Sequence, residues 1–107
     1  MALSEATREK LKKVATPTIM TALFKRGLRN QWIQDVRRIN PAAGPMVGEA
    51  FTLRYMPARE DLNPITVFRD RNHPQRAAVE QCPPGAVFVI DSRKDARAAS
   101  AGSILIS

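Results

Sequence analysis

Cysteine occurs once in this chain, at Cys82, and histidine once, at His73. A lone cysteine excludes an intrachain disulfide and suits a reducing compartment. With so few Cys and His there is no cluster of zinc-ligand spacing. A Ser-His-Asp or Cys-His arrangement would have to use His73, which sits beside Pro74, where a capping or surface role is the simpler reading. Cys82 precedes Pro-Pro-Gly at a helix end, and structural burial is its default. Neither a Walker phosphate loop nor a G-x-G-x-x-G is present. No apolar run approaches the roughly 18 residues that span a bilayer. The N-terminus, Met-Ala-Leu-Ser-Glu-Ala-Thr-Arg-Glu-Lys, carries charges where a signal peptide needs an apolar segment. The chain is therefore expected to be soluble and cytoplasmic, without a membrane partner.

What is present fits one domain, residues 1–107. Apolar content of 44% is that of a globular protein. The formal charge of +7 is unevenly spread: residues 1–40 hold nine Lys/Arg against three acids, for +6. Such a bias suits a solvated helix face with loop charges, or a surface facing RNA or an acidic protein partner. Aromatic platforms for bases are missing nearby apart from Trp32.

Ser4 to Val14 reads as a short surface helix with Ser4 as N-cap and Glu5 in its first turn. A second helix starts at Thr16-Pro17, with Thr16 as cap and Pro17 in the first helical position. Ile19, Met20, Leu23 and Phe24 recur at helical spacing, and Gly27 fits the C′ stop. Residues 28–46 read as irregular linker. From Val47 to Met56 apolar and polar residues alternate, as in a strand with one apolar face. Ile65 to Phe68 reads as a short strand or turn. Pro74 to Cys82 reads as a helix capped by Asn72 or His73. Ala86 to Ile90 is continuously apolar, as in a strand buried on both faces. Asp91 to Arg97 is a polar loop, and a helix is expected from Ala98 onward. The order helix, helix, strand, helix, strand, helix implies an α/β or α+β layered domain. Two strands make a poor sheet, so another subunit or further chain is expected to complete it. Ser-Ile-Leu-Ile-Ser at the end, without a helix stop signal, points to a domain incomplete at its C-terminus.

Taken alone, the residues form no complete catalytic constellation. Glu60-Asp61 lies in an Arg-rich loop, where ion pairing or solvation accounts for it. Gly102-Ser103-Ile104-Leu105 differs in kind. Glycine lets a ligand approach the backbone, and the N–H groups that follow can bind a carboxylate. Tight strand–helix packing accounts for the same glycine.

Several stretches together resemble one family. They are Ala77-Ala78-Val79-Glu80, Pro84 to Asp91, Asp95 to Ala99 and Gly102 to Leu105, preceded by Thr16-Pro17-Thr18, Thr21-Ala22-Leu23, Gly27-Leu28 and Met46 to Leu53. Their order and spacing resemble the N-terminal half of the RraA-like family. That family comprises regulators of ribonuclease activity and the 4-hydroxy-4-methyl-2-oxoglutarate/4-carboxy-4-hydroxy-2-oxoadipate aldolases.

The resemblance implies a layered α/β/β/α swivelling-domain fold, assembled as homotrimers or hexamers with sites between subunits. It implies a class II-type aldolase or oxo-acid lyase that uses Mg²⁺ or Mn²⁺. Such an enzyme cleaves a 4-hydroxy-2-oxo acid to pyruvate, and often decarboxylates oxaloacetate. By motif position Gly102, Ser103, Ile104 and Leu105 would bind the substrate carboxylate. The family's substrate-holding Arg and metal-binding Asp fall about twenty residues later, beyond Ser107, so the 107-residue chain by itself is expected not to turn over. Asp91 and Asp95 are the acids here that could contact metal-bound water, although no motif assigns them to it. Ala101 stands where many relatives carry a bulky aromatic, which bears on substrate identity. The other activity implied is docking on a ribonuclease partner.

Overall fold

The computed structural model of the chain describes residues 2–57 and 59–95. Two compact units divide it, Met1–Gly48 and Glu49–Ser107. Gly102, Ser103, Ile104 and Leu105, with the helix expected from Ala98, lie outside the described residues.

In the first unit, α1 spans Glu5–Lys12. Ser4 caps it as expected, with its Oγ accepting from the Thr7 N–H at 3.2 Å. Pairs Glu5–Arg8 and Glu9–Lys12 run along the helix at i,i+3. Arg8 also donates from Nη1 to the Val47 carbonyl at 2.9 Å, tying the helix to the end of the unit. α2 spans Thr16–Lys25. Its cap is Ala15 rather than Thr16: the Ala15 carbonyl accepts from Thr18 and Ile19, so Pro17 occupies the second helical position. A proline lacks only an N–H that has no helical partner anywhere in the first turn, so the sequence tolerates either frame.

The far end of α2 follows its sequence closely. Gly27, at φ +84°, donates to the Phe24 carbonyl at 2.9 Å. Leu28 then donates to the Leu23 carbonyl at 3.0 Å. This pair of bonds is a Schellman stop, which needs a left-handed residue at C′ and finds glycine there. Residues 28–46 form neither helix nor strand.

The second unit holds a parallel two-stranded sheet. β1 (Ala50–Arg54) and β2 (Val87–Asp91) run in register from Ala50↔Val87 to Arg54↔Asp91. β1 is shorter than its alternating pattern, because β2 supplies partners only over these residues. The Val87 N–H to the Glu49 carbonyl (2.8 Å) and the Tyr55 N–H to the Asp91 carbonyl (2.9 Å) close the ladder at its two ends. Phe51 and Leu53 share the half-buried face of β1, and β2 is half-buried on both faces over Val87–Ile90. Phe51 and Phe88 stack across the pair, centroids 5.8 Å apart.

Parallel strands require a crossover. Here it carries a 3₁₀ helix, Ile65–Arg69, and then α3, Pro74–Gln81. The 3₁₀ helix replaces the strand or turn expected at Ile65 to Phe68. Pro64 fixes the entry, and its carbonyl takes the Val67 N–H at 3.0 Å. Among the described residues none is fully buried. Mixed helices and parallel strands give the α/β class.

Candidate functional site

A cleft of about 420 Å³ opens in the second unit at the C-terminal ends of the parallel strands. Ligands of open α/β sheets sit at that end, because the loops leaving the strands converge there. The volume is within the range of small-molecule sites.

Its floor is the end of β1, Leu53 to Tyr55. One wall comes from Val67 and Phe68 of the 3₁₀ helix, another from His73 and Gln75 at the start of α3, and a third from Ser92 and Asp95 beyond β2. His73 is the N-cap of α3, and its Nδ1 accepts from the Gln75 N–H at 3.3 Å. With Nδ1 accepting, Nε2 is the ring nitrogen left to donate. Phe68 packs against the imidazole at 4.7 Å between centroids. Gln75 Nε2 donates to the Tyr55 hydroxyl at 2.9 Å, joining the start of α3 to the end of β1.

Two arginine–carboxylate pairs border the cleft. Arg54 Nε donates to Asp91 Oδ2 at 3.0 Å, across the last register position of the sheet. The other Asp91 oxygen takes the Arg93 N–H at 2.9 Å. That backbone bond, followed by the charge and hydrogen bond of Arg54, holds the Asp91 carboxyl below its usual range. Arg59 grips Asp61 through both Nε and Nη2, at 2.8 and 2.6 Å, and this fork lowers the Asp61 carboxyl. Both pairs are well exposed, so they orient side chains more than they stabilise the fold.

Ser92 to Asp95 is a tight turn, closed by the Asp95 N–H to the Ser92 carbonyl at 3.1 Å. Arg93 and Lys94, its central residues, have φ of +58° and +61°. Positive φ at both centres is the primed turn geometry that Asn and Gly normally occupy. Strain of this kind persists beside binding sites, where the surroundings over-determine it.

Of the residues singled out from sequence, His73 takes the cap expected of it. Asp61 is ion-paired as expected, while its neighbour Glu60 lines the cleft. Asp95 lines the cleft too, and Asp91 is committed to Arg54 and the Arg93 N–H. Cys82 is half-buried at the end of α3. Gly102, Ser103, Ile104 and Leu105, expected from sequence to bind the substrate carboxylate, lie outside the described residues. Tyr55, Gln75 and Arg54 carry no motif: strand register sets Arg54 opposite Asp91, and the crossover through α3 brings Gln75 to Tyr55.

Among the described residues, no three His, Cys, Asp or Glu side chains gather to hold a metal ion. Mg²⁺ keeps several waters and needs only one or two carboxylates; of the acids at the cleft, Asp91 and Asp61 are held by arginine, while Glu60 and Asp95 line it. Among the described residues also, no helix is long and apolar enough to cross a membrane.

No curated protein and no solved structure matches the chain. The family model described as RraA-like, Aldolase/RraA, matches residues 16–107, and the chain belongs to that family.

Proposed function

We propose that this chain carries the substrate-binding part of a metal-dependent oxo-acid lyase, a class II-type aldolase that releases pyruvate from a 4-hydroxy-2-oxo acid. The observation that supports it most directly is the cleft of about 420 Å³ at the strand C-termini, a few residues before the glycine loop. In this reading Gly102, Ser103, Ile104 and Leu105 bind the 2-oxo acid carboxylate through backbone N–H groups. Tyr55, Gln75 and His73 shape and polarise the cleft. The Mg²⁺ or Mn²⁺ ion would polarise the 2-oxo group when bound. The metal-binding Asp that the family resemblance implies is not among the described residues, where no group of three acids gathers. In this reading the protein assembles as a homotrimer or hexamer with the sites between subunits. We place the protein in the cytoplasm.

The test separates binding from turnover. Pyruvate or oxaloacetate is titrated calorimetrically into the 107-residue chain, and pyruvate release from a 4-hydroxy-2-oxo acid is followed with Mg²⁺ or Mn²⁺. Oxo-acid binding without turnover is expected, with binding lost in Gly102→Val. Turnover by this chain would overturn the need for outside ligands, and failure to bind any oxo acid would overturn the lyase reading. A second reading, a regulator that docks on a ribonuclease, is supported by the +6 charge of residues 1–40. Metal-independent, salt-sensitive binding to a ribonuclease would favour it.

A further inference from the structure

We infer that residues 24–39 form a binding surface for single-stranded RNA, an inference independent of the lyase reading. Every residue from 24 to 46 is exposed. Within 24–39 lie Lys25, Arg26, Arg29, Arg37 and Arg38, against the single acid Asp35. The other acids of the first unit are engaged on α1, where Glu5 pairs with Arg8 and Glu9 with Lys12. Among the described residues, none of the five cations of 24–39 forms a salt bridge with a carboxylate. A run of exposed cations without carboxylate partners, four of them guanidinium groups, is complementary in charge to a phosphate backbone.

Two aromatic groups lie within the same run. Trp32 is 53% exposed and Phe24 60%. Arg29 lies over the Phe24 ring, 5.5 Å from its centroid. Exposed aromatic faces interleaved with arginine are what unpaired bases stack on. The chain holds φ +55° at Asn30 and +61° at Asp35, so left-handed turns lie on both sides of Trp32. Charge also selects the occupant. A second copy of this basic surface would set like charges against each other, whereas a polyanion is complementary. Among polyanions, an acidic protein would use the cations but has no need of the exposed Trp32 face, which nucleobases would cover.

Trp32 is the only tryptophan in the chain, so its fluorescence reports on this surface alone. The intact chain is titrated with a single-stranded oligouridylate at about 50 mM salt and again at rising salt. Saturable quenching is expected. The plot of log affinity against log salt should fall with a slope near −0.7 for each phosphate neutralised, so roughly −2 to −3.5 for three to five cations. Arg37→Glu with Arg38→Glu should weaken binding at least about tenfold and flatten that slope. With labelled RNA, Trp32→Ala should lose about tenfold and Trp32→Phe should recover most of it. Lys10→Glu with Lys13→Glu, the same charge change on α1 and at its C-cap, should matter much less. Absence of quenching at low salt overturns the proposal. So does an equal loss from the α1 variant. Polyglutamate binding as tightly as RNA, with no dependence on Trp32, would instead assign the surface to an acidic protein and overturn the RNA reading.

Discussion

Gly27 sits at φ +84° with nothing within 4 Å of where a Cβ would lie. Substitution there costs backbone strain alone, without a clash. Gly27→Ala should therefore destabilise the chain by about 1 kcal/mol, measured as a shift in urea midpoint at unchanged slope. The reverse case is Lys94, at φ +61° in the turn beside the cleft. Lys94→Gly removes a left-handed penalty of about 1–2 kcal/mol. It also adds freedom to the unfolded chain worth about 0.4–1 kcal/mol, so a net gain near 0.5 kcal/mol is expected in the same denaturation experiment. His73 gives a third case. Its Nδ1 caps α3, a task asparagine also performs. His73→Ala should cost about 1 kcal/mol of stability, and His73→Asn should keep most of it. If His73 also donates to substrate from Nε2, the Asn variant should still bind oxo acid more weakly, which calorimetry separates from the fold.

At the scale of elements, legibility tracked how local the determining interaction is. The end of α2 is set by Gly27 and its immediate neighbours, so it reads directly from sequence. The start of α2 shifts by one residue because Pro17 fits either of two frames equally well. Ile65 to Phe68 misleads because β-branched and aromatic residues favour a strand, while Pro64 and the Val67 N–H bond impose a 3₁₀ turn. The strands are legible as apolar patterns, but their length is not, since each ends where its partner does. The cleft is least legible. Its Tyr55–Gln75 bond joins residues 20 positions apart, and its Arg54–Asp91 pair residues 37 apart.

That strand-end pair also has a pH signature. Asp91 is held below its usual range by the Arg93 N–H and by Arg54, so its stabilising effect is present above the unfolded value near 4. It is lost as pH falls through the lower, folded value. Far-UV circular dichroism between about pH 6 and pH 2 should show β1–β2 loosening below about pH 4. Asp91→Asn should be less stable at pH 6 and show a weaker acid transition.

For the molecule as a whole, the deciding fact is that no described residue is fully buried. Parallel sheets occur with both faces covered, and β2 presents Val87, Phe88, Val89 and Ile90 only half-buried. Among the described residues, β1 and β2 pair only with each other. Met56, Leu62 and Ile65 of the same unit are more than 60% exposed. Apolar surface of this extent marks an interaction site, and stability of about 5–15 kcal/mol is hard to reach without burying it. The chain should therefore sediment as an assembly larger than a monomer. Salt distinguishes this association from RNA binding. Apolar burial holds or strengthens between about 50 mM and 500 mM salt, whereas phosphate contacts weaken steeply over that range. Phe88→Asp should lose the secondary structure, because it breaks the Phe51–Phe88 stack across the sheet, and with it any assembly that covers that sheet. A wild-type chain that sediments as a folded monomer at every concentration would show that the half-buried sheet is stable uncovered.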